Sequence, residues 1–383
     1  MAKNTSCRLP ATTWFFQFPP PASTAAAAAR KQSIVPALQR ESAPPTQTLQ
    51  GEIFLYKRSL AAVLSLGGHR SFRGLVVFVP GLTDGLLGVS YVSALATAAN
   101  RAGFAFVQPT LSSSYRGYGT SSLDKDVEEL DSLIGCQRIQ GLLPNKSRNI
   151  VIVGHSTGCQ DSVHYVKHGT HKERISMIVL QAPVSDREAM LLEAAAITSR
   201  ASGSDKELDG FEQLIQALEF ARAHATSPDA SKHNTLMPHD SVFTYGTPVT
   251  CSRFHSLGAR MTPEDMFSTD LTVQEMTAQV GHVAIQAGVK SMLVFSGADE
   301  YVSEELKADY AAFARKMAAA MGGVTAGGTG MCASKAEEAT AGGASGGRGT
   351  FWSSWHVLKG AAHGLDGAEH AEAFVRLVSS ALA

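Results

Sequence analysis

The stretch of sequence that decides the fold is N-I-V-I-V-G-H-S-T-G-C-Q-D, residues 149–161. An apolar, β-branched run ends at a G-x-S-x-G pattern, Gly154 to Gly158, and a helical pattern follows it. Strand, turn and helix in this order are the setting of a nucleophile elbow, a tight turn that holds the serine hydroxyl above the sheet edge. Ser156 is therefore the predicted nucleophile. The alternative is an ordinary strand-to-helix turn with a capping serine.

Seven further short apolar runs have the length of strands. They begin at Gly51, Ala61, Gly74, Phe104, Ile175, Lys290 and Trp352. Most of the later runs are continuous rather than alternating, which is typical of strands buried on both faces. Helical patterns separate them, the one before the last run extending from Ser303 to Met321. This alternation predicts an α/β fold with an eight-stranded, mostly parallel sheet and helices on both faces, whose first two runs form an antiparallel hairpin at one edge.

The longest interval without a strand runs from Pro183 to Lys290. A structureless loop of that length is improbable in a compact domain, and the interval contains helical patterns. We therefore expect a helical lid at about residues 185–286, inserted between strands 6 and 7. It should lie over the carboxyl edge of the sheet, where open α/β folds bind their ligands.

Two segments differ in composition from the predicted hydrolase domain, residues 51–383. Residues 1–50 contain a single acidic residue, Glu41, among many Pro, Ala, Ser and Thr residues. They are interpreted as a disordered extension or as a plastid or mitochondrial transit peptide, so the expected location is the cytoplasm or one of those organelles. Residues 322–349 are rich in glycine and are expected to form a flexible insertion.

Composition excludes several classes of function. Among 383 residues, 33 are Lys or Arg and 34 are Asp or Glu, so no basic excess favours nucleic-acid binding. No apolar run reaches the roughly 18–20 residues of a transmembrane segment. The five cysteines are scattered, which argues against a disulfide framework or a cysteine zinc site. No dinucleotide or P-loop motif occurs, and we expect no cofactor and no metal.

A serine nucleophile needs a base, an acid that orients the base, and an oxyanion hole. His363 follows the last predicted strand, where the base of an α/β-hydrolase lies, and Asp299 follows the seventh strand as the predicted acid. Asp186, after the sixth strand, is the alternative acid, or it caps the helix that follows. The predicted oxyanion donors are the backbone N–H groups of Thr157 and Leu82.

Several motifs resemble one particular family. They are P-G-L-T-D-G-L-L at 80–87, L-S-S-S-Y-R-G-Y-G-T-S-S-L-D-K-D-V-E-E-L at 111–130, G-H-S-T-G-C-Q-D at 154–161, Q-A-P-V-S-D-R-E at 181–188, D-M-F-S-T-D-L at 265–271 and D-E-Y-V at 299–302. Together they resemble an α/β-hydrolase family of fungi, plants and protists, known mainly as a domain of unknown function, which includes fungal siderophore esterases. The resemblance spans about residues 50 to 383 and implies the α/β-hydrolase fold.

The residues and the resemblance together predict a serine carboxylic-ester hydrolase that acts through an acyl-enzyme. Its expected partner is a small-molecule ester, siderophore-like or otherwise bulky. An acyltransferase or lipase would use the same elbow, and a non-catalytic binding protein could share the fold. An intact Ser, Asp and His in the order of the family argues against that last alternative.

Overall fold

The computed structural model describes residues 47–143, 148–201, 209–283, 288–321 and 353–383. The predicted extension, up to residue 46, and the glycine-rich insertion lie outside these ranges. Residues 47–50 already contact the domain. The side-chain amide of Gln47 donates to the carbonyl oxygen of Val89 over 2.7 Å, and Leu49 packs against the apolar core. The folded part of the chain therefore begins before residue 51.

The described part of the chain forms one sheet of eight strands in the order β1-β2-β4-β3-β5-β6-β7-β8. The strands are β1 (Glu52–Lys57), β2 (Leu60–Ser65), β3 (Gly74–Val79), β4 (Phe104–Pro109), β5 (Ile150–His155), β6 (Ile175–Gln181), β7 (Lys290–Ser296) and β8 (Ser353–Leu358). β1 pairs with β2, and β2 with β4, in antiparallel orientation, and every other pair is parallel. The predicted mostly parallel sheet and its edge hairpin are confirmed.

The helices, in chain order, are α1 (Val92–Arg101), α2 (Leu123–Gly135), α3 (Gln137–Gln140), α4 (Gly158–His168), α5 (Asp186–Ala201), α6 (Gly210–Ala225), α7 (Cys251–Gly258), α8 (Val273–Val280), α9 (Glu304–Ala308), α10 (Tyr310–Ala320) and α11 (Ala368–Leu382). α1 and α11 cover one face of the sheet, whereas α2, α4, α8 and α10 cover the other. Alternate residues of β3 enter the two cores, Leu75 and Val77 on one side and Val76 and Phe78 on the other. Burial on both faces explains the continuous apolar runs.

The helix predicted from Ser303 to Met321 is two helices. Asp309 leaves the helical conformation at φ −141° and ψ 53°, which ends α9. Its carboxylate then accepts a hydrogen bond from the backbone N–H of Ala312 over 3.0 Å and caps α10. An aspartate competes with the helix for local backbone donors, and this explains the break.

Helices α5 to α8 lie between β6 and β7, where the lid was predicted. Only α5 to α7 share an apolar cluster of their own, with Met190, Leu214 and Phe254 at its centre. α8 packs instead into the main core through Met276 and Val280. We call residues 186–201 and 209–258 the cap. Along the described ranges, no helix combines the length and the apolar character that a membrane span needs.

A buried ion pair anchors the cap. Arg253 of α7 pairs with Glu264, and the two residues are only 4% and 3% exposed. Burial lowers the pKa of the Arg253 guanidinium, but the charges of Glu264, Asp126, Asp161 and Asp186 outweigh burial and raise this pKa overall. Asp126 belongs to α2 and Asp161 to α4, so the charge of the guanidinium also acts between the cap and these two helices.

Replacing Arg253 by methionine leaves Glu264 buried without its cation. We expect the free energy of unfolding, measured with urea, to fall by about 3–5 kcal/mol, the usual cost of removing one partner of a buried pair. Arg260→Met is the control, because Arg260 pairs with Glu275 at the surface and should contribute little. Equal stability of the two variants would contradict an anchoring role for Arg253.

Candidate active site

The turn between β5 and α4 has the geometry of a nucleophile elbow. Ser156 adopts a left-handed conformation with φ of 54°, which a non-glycine residue rarely adopts. Its backbone N–H donates to the carbonyl oxygen of Gln181 over 3.0 Å. A Cβ on Gly158 would lie 2.3 Å from the carbonyl oxygen of Val79, so this position of the motif requires glycine. The turn therefore holds Ser156 at the carboxyl end of β5.

His363 and Asp299 meet across the loops that follow β8 and β7. Nδ1 of His363 lies 2.8 Å from Oδ2 of Asp299, and the two residues are 8% and 1% exposed. The other carboxylate oxygen of Asp299 accepts the backbone N–H of Tyr301 over 3.0 Å, which fixes the orientation of the carboxylate. The imidazole lies between the rings of Tyr301 and His155, with centroids 4.7 and 4.9 Å away.

The surroundings of His363 determine its basicity. Burial lowers the pKa of the imidazole, because it disfavours the charged form. The charge of Asp299 and its hydrogen bond, together with the charges of Glu300 and Asp84, act in the opposite direction. The net effect is a pKa above the ordinary value for histidine. A base of raised pKa accepts a proton readily once it is neutral.

Asp186 and Glu300, two further carboxylates near the site, have different positions. Asp186, the alternative acid, begins α5, and its Oδ2 accepts a hydrogen bond from the amide of Gln160 over 3.0 Å. Ser185 rather than Asp186 caps this helix, since its hydroxyl accepts the backbone N–H of Glu188. Glu300 accepts the backbone N–H of His363 over 3.0 Å and so holds the loop that carries the imidazole.

The loop after β3 approaches Ser156 closely. A Cβ on Gly81 would lie 2.8 Å from Cβ of Ser156. Within the loop, the N–H of Gly81 donates to Oδ2 of Asp84, and the N–H of Asp84 donates to the carbonyl oxygen of Gly81. These bonds do not use the N–H groups of Leu82 and Thr83. Thr157, the second predicted donor, is the N-cap residue of α4.

Ser156 and His363 line one cavity of about 310 Å³. The loop after β3 contributes Leu82 and Asp84 to its wall, and α5 contributes Asp186. The cap supplies much of the apolar lining, namely Met190, Phe243, Val249, Phe254 and Leu257. Among the residues that the structure describes, no three His, Cys, Asp or Glu side chains are grouped as metal ligands would be.

Sequence reasoning did not single out Gln181, His155 or Asp84 as site residues. Gln181 and His155 are the last residues of β6 and β5, and Asp84 lies in the loop that follows β3, all at the edge where the site was expected. A polar side chain that ends an otherwise apolar strand was the available signal.

The sheet topology and the elbow define an α/β-hydrolase fold. The family model described as "Protein of unknown function (DUF1749)" matches residues 42–339, and the chain belongs to this family. Its relatives include a fusarinine C esterase of Aspergillus fumigatus, 32% identical over 259 residues that cover 59% of this chain and 71% of the relative. An esterase of Emericella nidulans is 28% identical over 305 residues, 68% of this chain and 78% of the relative.

A solved structure agrees with this fold. The siderophore hydrolase EstB from Aspergillus fumigatus superimposes with a TM-score of 0.64, covering 88% of this chain and 99% of the other at 24% identity. The predicted α/β-hydrolase fold and the predicted resemblance to the siderophore esterase family are therefore confirmed.

The raised pKa of His363 predicts a shifted acid limb in the pH profile. A general base must be neutral, so activity should fall as the pH drops through a pKa above the ordinary value of about 6.5. The profile of kcat/KM between about pH 5 and 9 with one uncharged ester measures this. Asp299→Asn removes the charge that raises the pKa and should move the limb to lower pH. A wild-type acid limb with an apparent pKa below the ordinary histidine value would contradict His363 as the general base.

Asp299→Asn and Asp186→Asn decide which carboxylate orients His363. Asp299→Asn should lower kcat by roughly 10⁴-fold, because an amide favours the wrong imidazole tautomer. Asp186→Asn should cost far less, since asparagine still offers an oxygen to Gln160. Both variants are compared with the same activated ester. A larger loss in Asp186→Asn would make Asp186 the acid.

Proposed function

We propose that the protein is a serine hydrolase of carboxylic esters, with Ser156 as nucleophile, His363 as base and Asp299 as the acid that orients it. One observation carries the proposal. A serine in a strained, left-handed elbow lines the same cavity as a histidine whose Nδ1 lies 2.8 Å from a buried aspartate. This combination serves acyl transfer to a serine.

The geometry supports a two-step reaction. With Nδ1–H donating to Asp299, Nε2 of His363 is free to accept the proton of the Ser156 hydroxyl as its oxygen attacks the ester carbonyl. The tetrahedral intermediate collapses when His363 returns that proton to the leaving alcohol, which yields an acyl-enzyme. A water molecule, deprotonated by His363, then attacks the acyl carbonyl, releases the carboxylic acid and restores Ser156.

The oxyanion of both intermediates needs preorganised donors. We assign the N–H of Thr157, directly after the nucleophile, and the N–H of Leu82. Two observations support Leu82: its loop reaches Ser156, and the hydrogen bonds between Gly81 and Asp84 do not use its N–H group. Asp84 would keep the loop in the conformation that presents this donor.

The cavity suggests the substrate class. A volume of about 310 Å³ lies at the lower end of the usual range for small-molecule sites, so the cavity would hold the acyl part of a bulky ester rather than the whole molecule. Its apolar wall from the cap suits the acyl part of an ester, and the cap would thus act as the predicted lid. The esterase and siderophore hydrolase names of the relatives support a siderophore-like or otherwise bulky ester.

Ser156→Ala tests the proposal. It removes a single hydroxyl and should lower kcat by about 10⁴- to 10⁶-fold, with loss of labelling by a fluorophosphonate probe and an unchanged melting temperature. Ser132→Ala, the same substitution on α2 at a residue that does not line the cavity, is the control and should keep both labelling and turnover. Substantial turnover by Ser156→Ala would refute the assignment.

The same assay separates the alternatives. p-Nitrophenyl esters of graded acyl length, with and without an added alcohol acceptor, distinguish a hydrolase from an acyltransferase and short-chain from lipase-like preference. A wild-type protein that is neither labelled nor active on any ester would support the non-catalytic binding protein.

A further inference from the structure

Gln181 is a buried polar residue at the centre of the catalytic edge. It is the last residue of β6, is fully buried, and pairs with His155 of β5 on one side and Val294 of β7 on the other. It does not line the cavity that Ser156 and His363 share. A polar side chain without access to solvent must find its partners inside the protein.

The side-chain amide finds four partners. Its Nε2 donates to the carbonyl oxygen of His363 and to the hydroxyl of Ser296, each over 3.2 Å. Its Oε1 accepts from the hydroxyl of Tyr91 over 2.9 Å and lies 2.5 Å from Nδ1 of His155. A carbonyl oxygen can only accept, so the bond to His363 fixes which end of the amide carries the nitrogen. Nδ1 of His155 must then carry the proton that it shares with Oε1.

The backbone of the same residue holds the nucleophile. The carbonyl oxygen of Gln181 accepts the backbone N–H of Ser156 over 3.0 Å and the thiol of Cys159 over 3.3 Å. One residue thus bonds to the elbow through its main chain and to the loop of the base through its side chain.

A further connection reaches the loop that carries the predicted oxyanion donor. The imidazole of His155 also packs against this loop: its Nε2 lies 3.7 Å from Oδ2 of Asp84, a packing contact rather than a hydrogen bond, and the same oxygen accepts the N–H of Gly81. Contacts therefore lead from Gln181 through His155 and Asp84 to Gly81, the residue before Leu82. Gln181 thus bonds directly to the backbone of Ser156 and to the loop of His363, and it contacts the predicted oxyanion loop through His155.

We propose that Gln181 is a positioning residue that sets the placement of Ser156, His363 and the loop of Leu82 relative to one another. The inference rests on the proposed function. Glutamine fits this position because its side chain carries both an N–H group for the carbonyl of His363 and an oxygen that accepts from Tyr91 and His155. Glutamate has the same shape but offers no donor to His363 when its carboxyl is ionised, and methionine has neither group.

Gln181→Glu and Gln181→Met test the role. Gln181→Met loses the hydrogen bond to the carbonyl of His363 at every pH, and Gln181→Glu loses it on the alkaline side of the pH profile, where its carboxyl is ionised. Under those conditions we expect kcat to fall about 10²-fold, the effect of displacing a reacting group by about 1 Å. KM should stay nearly unchanged, because Gln181 does not touch the cavity. The rate of labelling of Ser156 by a fluorophosphonate should fall with kcat.

Tyr91→Phe is the matched control. It removes one hydrogen bond from the same amide but leaves the bonds to His363, His155 and the elbow, so kcat should remain within a few-fold of wild type. All variants are assayed well below their melting temperatures. If Gln181→Met does not fold, Gln181→Glu keeps the test, since it retains the oxygen that faces Tyr91 and His155. Normal kcat in the folded Gln181 variants would overturn the proposal.

A second readout needs no substrate. The low-field proton resonance of the His363 Nδ1–H bonded to Asp299 reports the placement of the imidazole. We expect it to shift or broaden in both Gln181 variants and to persist in Tyr91→Phe. An unchanged resonance in the Gln181 variants would refute positioning. Because this signal does not depend on turnover, an inactive wild-type protein would refute the proposed function without deciding the role of Gln181.

Discussion

The left-handed conformation of Ser156 is the constraint on which the site depends. A turn this tight brings α4 so close to β3 that no side chain fits at Gly158, and it places the serine at the end of a central strand. Such a conformation is costly for a residue with a Cβ and persists only when its surroundings determine it. The bond from its N–H to Gln181 and the apolar packing of β5 between β3 and β6 provide those surroundings.

Parallel strands explain why distant residues meet at this edge. The strands β3, β5, β6, β7 and β8 all end on the same side of the sheet, so the loops that follow them are neighbours in space although they are far apart in sequence. Asp299 and His363 are 64 positions apart, yet β7 and β8 pair in register and bring them into hydrogen-bond contact. The topology brings the two side chains together. Hydrogen bonds with Glu300 and Gln181 then orient the loop of His363, and one with Tyr301 orients the carboxylate of Asp299.

The sequence predicted what periodicity and motifs encode. The eight strands and the elbow follow from apolar runs and from one pattern, and the position of His363 follows from chain order. Contacts between residues that are distant in sequence leave no periodic signal. The sequence therefore could not predict the hydrogen bond between Glu300 and the backbone of His363, or the hydrogen bonds of the Gln181 side chain. The packing of α8 into the main core was missed for a related reason, because tertiary contacts outweigh local helical preference. The break at Asp309 has a local cause, since its own side chain caps α10.

The cap contributes charge to the site as well as apolar surface. Burial raises the pKa of Asp186 to about 7 and Glu264 adds to this, whereas Arg253 and His363 oppose it. The guanidinium that anchors the cap thus also favours ionisation of a carboxyl that lines the cavity. Because Asp186 lines the cavity, a charged substrate group bound there would shift its protonation equilibrium. The position of the cap therefore bears on the electrostatics of the cavity, because the charge of Arg253 on α7 acts on a carboxyl that lines the same cavity as Ser156 and His363.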